Sequence, residues 1–152
     1  MRLPRLSEIM TRDPACARPG DPLRVALGLM RARKCRRLPV VEGGKLVGIV
    51  SDRDVRLALN SPFILRERQQ DQEVLDRVVV AECMSPNPIS LPPDASVLDA
   101  ARLMRDRKLG GVPVVDAGRL VGIVTETDVL NYFIQALPAW VDNGTRMNTD
   151  EL

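Results

Sequence analysis

Hydrophobic residues along this chain follow the period of β-strands in some segments and the period of α-helices in others, and the most informative positions lie where one period changes to the other. Residues 109–130 read LGGVPVVDAGRLVGIVTETDVL, in which two short apolar runs flank a polar turn at residues 116–119. Two such runs around a glycine-containing turn predict a β-hairpin. Val129, Leu130 and Phe133 then take the spacing of one helix face. Thr125 and Asp128 therefore lie where a strand ends and a helix begins, where free amides favour an anion.

The same pattern occurs earlier, because residues 36–57 read RRLPVVEGGKLVGIVSDRDVRL. Asp54 and Asp128 hold matching places, so the offset is 128 minus 54, or 74 residues. It holds without a gap back to Met10 and Met84, and identical pairs such as Pro39 and Pro113 recur along it. The chain is therefore an internal tandem repeat.

One repeat is predicted to run strand, helix, strand, strand, helix, which makes the fold class α/β (α+β). We expect a first repeat with its lead-in at 1–57, a linker at 58–80, a second repeat at 81–133 and a tail at 134–152. Residues 15–17 predict a short edge strand, and Asp21 is a candidate cap for the next helix. The polar residues 66–76 are expected to form a solvated linker helix, with a binding helix as the alternative. Trp140 in the tail is expected to cover an apolar edge or a subunit contact.

Composition narrows the function classes. The 152 residues carry a net charge of +2 and only 3% aromatic residues, which gives no general attraction to nucleic acid or membrane. No apolar run approaches the roughly 20 residues of a membrane span, and the start lacks the apolar core of a signal peptide. We therefore expect a cytoplasmic protein.

Histidine is absent, which removes the commonest general base and metal ligand. The three cysteines lack the close pairing of a zinc site, so we expect no metal and interpret them as small buried hydrophobes. A contact between Cys16 and Cys35 is a second interpretation, although a stable disulfide is not expected in reducing cytosol. With no paired acid and base and no phosphate-binding loop, we predict no enzymatic activity and no catalytic cofactor.

The chain resembles a pair of CBS domains, the module named after cystathionine β-synthase. In the first copy the resemblance rests on residues 10–14 (MTRDP), 38–41 (LPVV), 48–50 (GIV) and 51–54 (SDRD). In the second copy it runs from 84–88 (MSPNP) to 125–128 (TETD), and together the copies cover roughly residues 7–57 and 81–133. The layout is also similar to small bacterial CBS-pair proteins such as those of acetoin-utilisation operons.

This resemblance implies two repeats packed about a pseudo-twofold axis (a Bateman module), with two clefts that bind adenosine-containing ligands. It implies that the Asp of an S/T-x-x-D motif holds the ribose hydroxyls, while the Ser or Thr lies near phosphate. Such a carboxylate can accept two hydrogen bonds from a cis-diol. One cleft is expected to use Ile123, Thr125, Thr127 and Asp128, with Gly110, Gly111, Val112 and Pro113 beside the adenine, and to borrow Thr11 to Cys16 and Arg36. The other is expected to use Ile49, Ser51, Arg53 and Asp54 with Arg36, Arg37 and Leu38, and to borrow Ser85, Pro88, Ile89 and Ser90.

The copies differ in charge, because Arg36 and Arg37 stand opposite Gly110 and Gly111, and Arg53 stands opposite Thr127. Guanidinium groups pair bidentately with phosphate, which favours a charged nucleotide over adenosine. The alternative is a solvated rim, or ion pairs with Asp52 and Glu67. For Asp54 and Asp128 the alternative is a purely structural helix cap, and Pro39 and Pro113 are best interpreted as breaks in the backbone pairing of an edge strand.

The leading hypothesis is a non-enzymatic module that senses AMP, ADP or ATP and signals to an unidentified partner protein. The alternatives are an interaction protein with empty clefts, or a sensor of S-adenosylmethionine or a dinucleotide. A homodimer is expected, without membrane or nucleic-acid partners. The candidate contacts, with the intramolecular core as their competing use, are Ala26, Leu29, Met30, Ala100, Leu103 and Met104.

Overall fold

The predicted succession of helices and hairpins is present in the computed structural model, which describes residues 2–59 and 68–142. The first half contains α1 (Leu6–Ile9), β1 (Thr11–Arg12), α2 (Leu23–Arg33), β2 (Arg37–Glu42), β3 (Lys45–Ser51) and α3 (Asp52–Leu59). The second half contains α4 (Arg68–Arg77), α5 (Val80–Cys83), β4 (Ser85–Pro86), α6 (Val97–Arg107), β5 (Gly111–Asp116), β6 (Arg119–Thr125) and α7 (Glu126–Asp142). The mixed fold class predicted from the sequence is confirmed.

The two repeats are interlocked, because each gives a strand to the sheet of the other. One antiparallel sheet has the order β1-β6-β5, and the other has the order β2-β3-β4. In the first, Thr11 pairs with Ile123; in the second, Ser85 pairs with Ile49. The β1 and β4 strands thus cross to the opposite repeat, and any cavity beside them is built from both halves of the chain.

The lead-in helices exchange in the same way. Leu6 of α1 is fully buried in the core of the second repeat, with Val112, Val114 and Val124. Val80 of α5 holds the matching place in the core of the first repeat. Burying a leucine or valine side chain stabilises the fold by about 1.5–3 kcal/mol, so each repeat depends on a helix that precedes the other.

The same cores contain most of the residues proposed for the dimer contact. Ala26, Met30, Ala100 and Met104 are buried inside the monomer, and Leu29 and Leu103 pack against those cores while half-buried. These residues therefore belong to the intramolecular core rather than to a dimer contact, because the apolar faces of α2 and α6 cover their own sheets. A dimer contact requires a different surface.

Three local predictions were wrong. Residues 15–17 form no strand, since only Ala17 makes an isolated parallel bridge, to Val40. Asp21 does not cap α2; its carboxylate accepts a hydrogen bond from the Arg18 amide at 2.8 Å, and Pro22 holds the cap position. The helix predicted to end near Phe133 continues to Asp142, through Pro138.

The linker helix was predicted correctly, and α4 is attached to α2 by Arg24, whose guanidinium contacts Asp76 and Gln72. Its Leu75 is buried, so the helix is not purely solvated. Glu67 and the Trp140 side chain lie outside the described residues. Within the described part, no helix is long and apolar enough to cross a membrane.

Candidate functional site

Each S/T-x-x-D motif forms a helix cap at the end of a central strand. The Thr125 amide and hydroxyl donate to Asp128 Oδ2 at 2.8 and 3.0 Å, and the Asp128 amide donates back to Thr125 Oγ1 at 3.4 Å. Ser51 and Asp54 make the same three bonds at 2.8, 2.9 and 3.2 Å. Both aspartates therefore take part in helix capping, and this role uses one carboxylate oxygen of each.

The other oxygen of Asp128, Oδ1, accepts no hydrogen bond from any described residue, and Asp128 faces a cavity of about 580 Å³. The cavity lies between the start of α7 in the second repeat and two segments of the first repeat, which follow β1 and α2. This volume falls within the usual range for small-molecule sites. The predicted combination of Thr11, Arg36, Ile123, Thr125 and Asp128 does meet at this one cavity, which we call the Asp128 cleft.

The Asp128 cleft is lined by both signs of charge. Four basic side chains, Arg33, Lys34, Arg36 and Arg37, face three acidic ones, Asp13, Glu126 and Asp128. None of the seven forms an ion pair with another residue in the described part of the chain. Asp52, an expected partner of the arginines, pairs instead with Arg56 at 3.5 Å. The basic groups are therefore available to an anion.

The helix amides contribute less than the sequence suggested. The Glu126 amide donates to the Gly110 carbonyl at 3.1 Å, and the Asp128 amide is used by Thr125. The Thr125 hydroxyl has already given its single proton to Asp128. The positive charge that the Asp128 cleft offers to an anion therefore comes from the basic side chains more than from the start of α7.

Arg37 occupies a special position between the repeats. Its Nη1 donates to the Gly110 carbonyl at 2.8 Å, from a half-buried side chain. A Cβ added to Gly111 would lie 2.8 Å from Arg37 Cδ, which is closer than real Cβ contacts. Gly110 and Gly111, expected beside the adenine in the Asp128 cleft, do not line that cleft, and the space in front of them is filled by Arg37.

Several predicted site residues lie elsewhere. Leu38, Val112 and Pro113 are buried, so only their backbone can face a ligand. Cys16 donates a hydrogen bond to the Pro14 carbonyl at 3.1 Å and lines another cavity, of about 700 Å³, beside the turn of the first hairpin. Thr127 lines the Asp128 cleft as expected. Of the residues expected at the cleft of Asp54, Ser85 pairs with Ile49 of β3. Arg53, Ser85, Ile89 and Ser90 are exposed, and Pro88 is half-buried.

Sequence reasoning missed Arg33, Lys34, Cys35, Pro39 and Glu126, which also line the Asp128 cleft. Arg33 and Lys34 lie at the end of α2, where cations are also favoured by the helix dipole, so their type and position do not by themselves indicate a binding role. The sequence does indicate that these residues lie together, because the segment from Arg33 to Pro39 is only seven residues long and keeps the end of α2 close to β2. Lys34 ends that helix with φ of 52°, so the chain turns sharply toward the cleft.

The cysteines show no sign of redox or metal chemistry. All three are free and half-buried, and burial raises the pKa of the Cys16 and Cys83 thiols above the ordinary value. A raised pKa keeps a thiol protonated and weakens it as a nucleophile or ligand. Among the described residues, no cluster of acidic or cysteine side chains could hold a metal ion.

Two interlocked repeats that share their clefts define a paired-repeat module. The comparison with known families identifies the repeat: the CBS domain model matches residues 6–61 and again residues 80–135. The chain therefore belongs to the CBS domain family and contains a tandem pair of CBS domains.

Relatives support this at the level of sequence and structure. A CBS domain-containing protein of Dictyostelium discoideum is 43% identical over 117 residues, which is 76% of this chain and 81% of that protein. The structure of a protein assigned to acetoin utilization (AcuB) from Vibrio cholerae is similar with a TM-score of 0.75 and 30% identity, over 93% of this chain and 98% of that one. The structure of CBSX2 in complex with AMP has a TM-score of 0.71 and 31% identity, over 88% of this chain and 98% of that one.

Proposed function

We propose that this protein is a non-enzymatic regulatory module that binds an adenine nucleotide, AMP, ADP or ATP, between its two CBS domains and reports occupancy to a partner protein. The observation that carries the proposal is Asp128, which lines a 580 Å³ cleft and keeps one carboxylate oxygen, Oδ1, without a hydrogen bond from the described residues, beside four basic side chains that have no ion-pair partner there. The AMP complex of the similar protein CBSX2 supports the same ligand class.

The charges of the Asp128 cleft favour a ligand that carries phosphate. The free oxygen of Asp128 can accept hydrogen bonds from a ribose diol, while Arg33, Lys34 and Arg36 offer donors to phosphate oxygens. Adenosine would leave those cations unused, and the sulfonium of S-adenosylmethionine would meet like charge. A dinucleotide has the right charge but must fit its second nucleoside into the same cleft.

A signal requires that ligand binding change a surface that a partner can read. The helices α3 and α7 begin at the S/T-x-x-D motifs and carry exposed apolar side chains further along, Leu57 on α3 and Leu130 and Ile134 on α7. A homodimer through these helices would couple the clefts of two chains, since α7 starts at the proposed ligand contact of Asp128. A difference in nucleotide affinity between free and associated forms would then be the signal. We place the protein in the cytoplasm, where adenine nucleotides are abundant and free thiols stay reduced.

The first test is thermal denaturation of the protein with AMP, ADP, ATP, adenosine, S-adenosylmethionine and NAD, each at millimolar concentration. We expect a rise in the melting temperature with at least one adenine nucleotide and a smaller rise with adenosine, because adenosine lacks the phosphate. Guanine nucleotides serve as the control for nonspecific binding of phosphate to the basic residues.

A second measurement, sedimentation velocity with and without the nucleotide that gives the largest rise, examines the signal. We expect a dimer whose stability depends on nucleotide. If no ligand changes the melting temperature, the alternative applies, namely a CBS pair that acts in protein interaction with empty clefts.

A further inference from the structure

The two clefts of the CBS pair are not equivalent, and Arg37 is the residue that separates them. Residues 33–37 line the Asp128 cleft. The repeat offset of 74 relates these residues to 107–111, so by this symmetry we expect Gly110 and Gly111, in place of Arg36 and Arg37, to lie beside Asp54 in a second cleft, which we call the Asp54 cleft. Without side chains at these two positions, that cleft would have additional room.

The additional room is filled from the other side. Arg37 extends across the boundary between the repeats, hydrogen-bonds the Gly110 carbonyl, and leaves no space for a side chain at either glycine. A Cβ on Gly110 would lie 2.7 Å from Arg37 Cζ, and one on Gly111 would lie 2.8 Å from Arg37 Cδ. The Gly110 carbonyl also holds the first amide of α7, so Arg37 is bonded to a fixed point of the second repeat.

We propose that Arg37 closes the Asp54 cleft and that the chain binds one nucleotide, in the Asp128 cleft. This inference rests on the proposed function and adds the number and place of the ligands. The Arg37 side chain contributes to both clefts. It lines the Asp128 cleft, and it covers Gly110 and Gly111, which we assign to the Asp54 cleft. Arg37 is therefore a specificity-determining residue that selects one of two related sites.

Isothermal titration calorimetry with AMP, ADP and ATP measures the stoichiometry directly. We expect one nucleotide per wild-type chain, a loss of binding in Asp128→Ala and retained binding in Asp54→Ala. Arg37→Ala removes the atoms that cover Gly110 and Gly111, and we expect it to bind two nucleotides per chain. The second of these should be lost when Asp54→Ala is added.

Arg36→Ala is the matched control for charge, because it removes the adjacent guanidinium from the Asp128 cleft without uncovering either glycine. We expect weaker binding at an unchanged stoichiometry of one. Two nucleotides per wild-type chain, or one per chain in Arg37→Ala, would overturn the assignment.

A second measurement needs no ligand. Gly111→Ala should lower the melting temperature in the wild-type background, where the new methyl group would displace the Arg37 side chain, and should have no such effect in the Arg37→Ala background. Equal effects in both backgrounds would show that Arg37 does not occupy this space. If no nucleotide binds any variant, the proposed function and the stoichiometry both fail, while this pair of melts still decides where Arg37 lies.

Discussion

Replacing Asp128 by alanine separates the structural role of the aspartate from its proposed role in binding. The side chain accepts two hydrogen bonds from Thr125 at the start of α7 and completes a capping box there. Loss of a capping side chain costs about 1 kcal/mol in the free energy of unfolding. For a chain of this size that lowers the melting temperature by roughly 2–4 °C without any ligand.

The binding role appears only as a difference between samples with and without nucleotide. A ligand at about 100 times its dissociation constant adds about 2.7 kcal/mol to the free energy of unfolding, a rise of roughly 5–11 °C. We expect that rise in the wild type and its absence in Asp128→Ala, because the ribose hydroxyls lose their acceptor. The assay is differential scanning calorimetry at a fixed nucleotide concentration.

Asp54→Ala is the matched control, since Ser51 and Asp54 form the same cap with nearly equal distances. Both variants should show a similar fall without ligand, but Asp54→Ala should keep the nucleotide-dependent rise. If Asp128→Ala also keeps the full rise, then Asp128 is only a helix cap and the reasoning about its free oxygen is refuted.

Three further predictions concern the fold that holds the cleft. Gly122→Ala would place a Cβ 2.9 Å from the Thr11 carbonyl oxygen and against Met10, so we expect β1 to separate from β6. The melting temperature should fall and nucleotide binding should weaken. Gly20→Ala is the control that should change neither, because a Cβ at Gly20 meets nothing within 4 Å. Leu6→Ala should cost about 2–5 kcal/mol in urea unfolding, because this fully buried side chain belongs to the core of the opposite repeat; a loss below about 1 kcal/mol would mean that α1 is not an integral part of that core. Hydrogen bonds from the Ser96 amide and hydroxyl lower the pKa of Asp99. The stability that the Asp99 carboxylate gives to the fold is therefore complete above the ordinary pKa of an aspartate and is lost as the pH falls through the lowered pKa. When the pH is lowered below about 4, the free energy of unfolding of Asp99→Asn should fall less than that of the wild type, as measured by circular dichroism.

The sequence predicted the parts of the fold that depend on local pattern. The hairpins and the linker helix follow from turn residues and from the period of apolar positions. The end of α7 could not be found this way, since Leu137-Pro138 signals a break that the structure does not make. A proline removes one helical hydrogen bond, and the sequence pattern alone does not decide whether a helix continues past it.

The site was predictable to the extent that the repeat itself defines it. Asp128, Thr125 and the segment after β1 follow from the S/T-x-x-D motif and from the family resemblance. The position of Arg37 was not predictable, because it depends on which long side chain occupies the space between the repeats. Periodicity and spacing describe the backbone, whereas the crossing of Arg37 to Gly110 is decided by packing between segments about 70 residues apart.

Interlocking explains how a small module can respond as one unit to a single ligand. The strand β1 precedes the Asp128 cleft wall in sequence but is paired to β6 of the other repeat, and α1 is buried in that repeat's core. A nucleotide that joins Asp128 to Arg36 therefore connects two repeats that already share strands and cores. Because the repeats share strands and cores, we expect the free energy of nucleotide binding to act on both repeats together and to reach the proposed homodimer contact on α7, which starts at the Asp128 cleft.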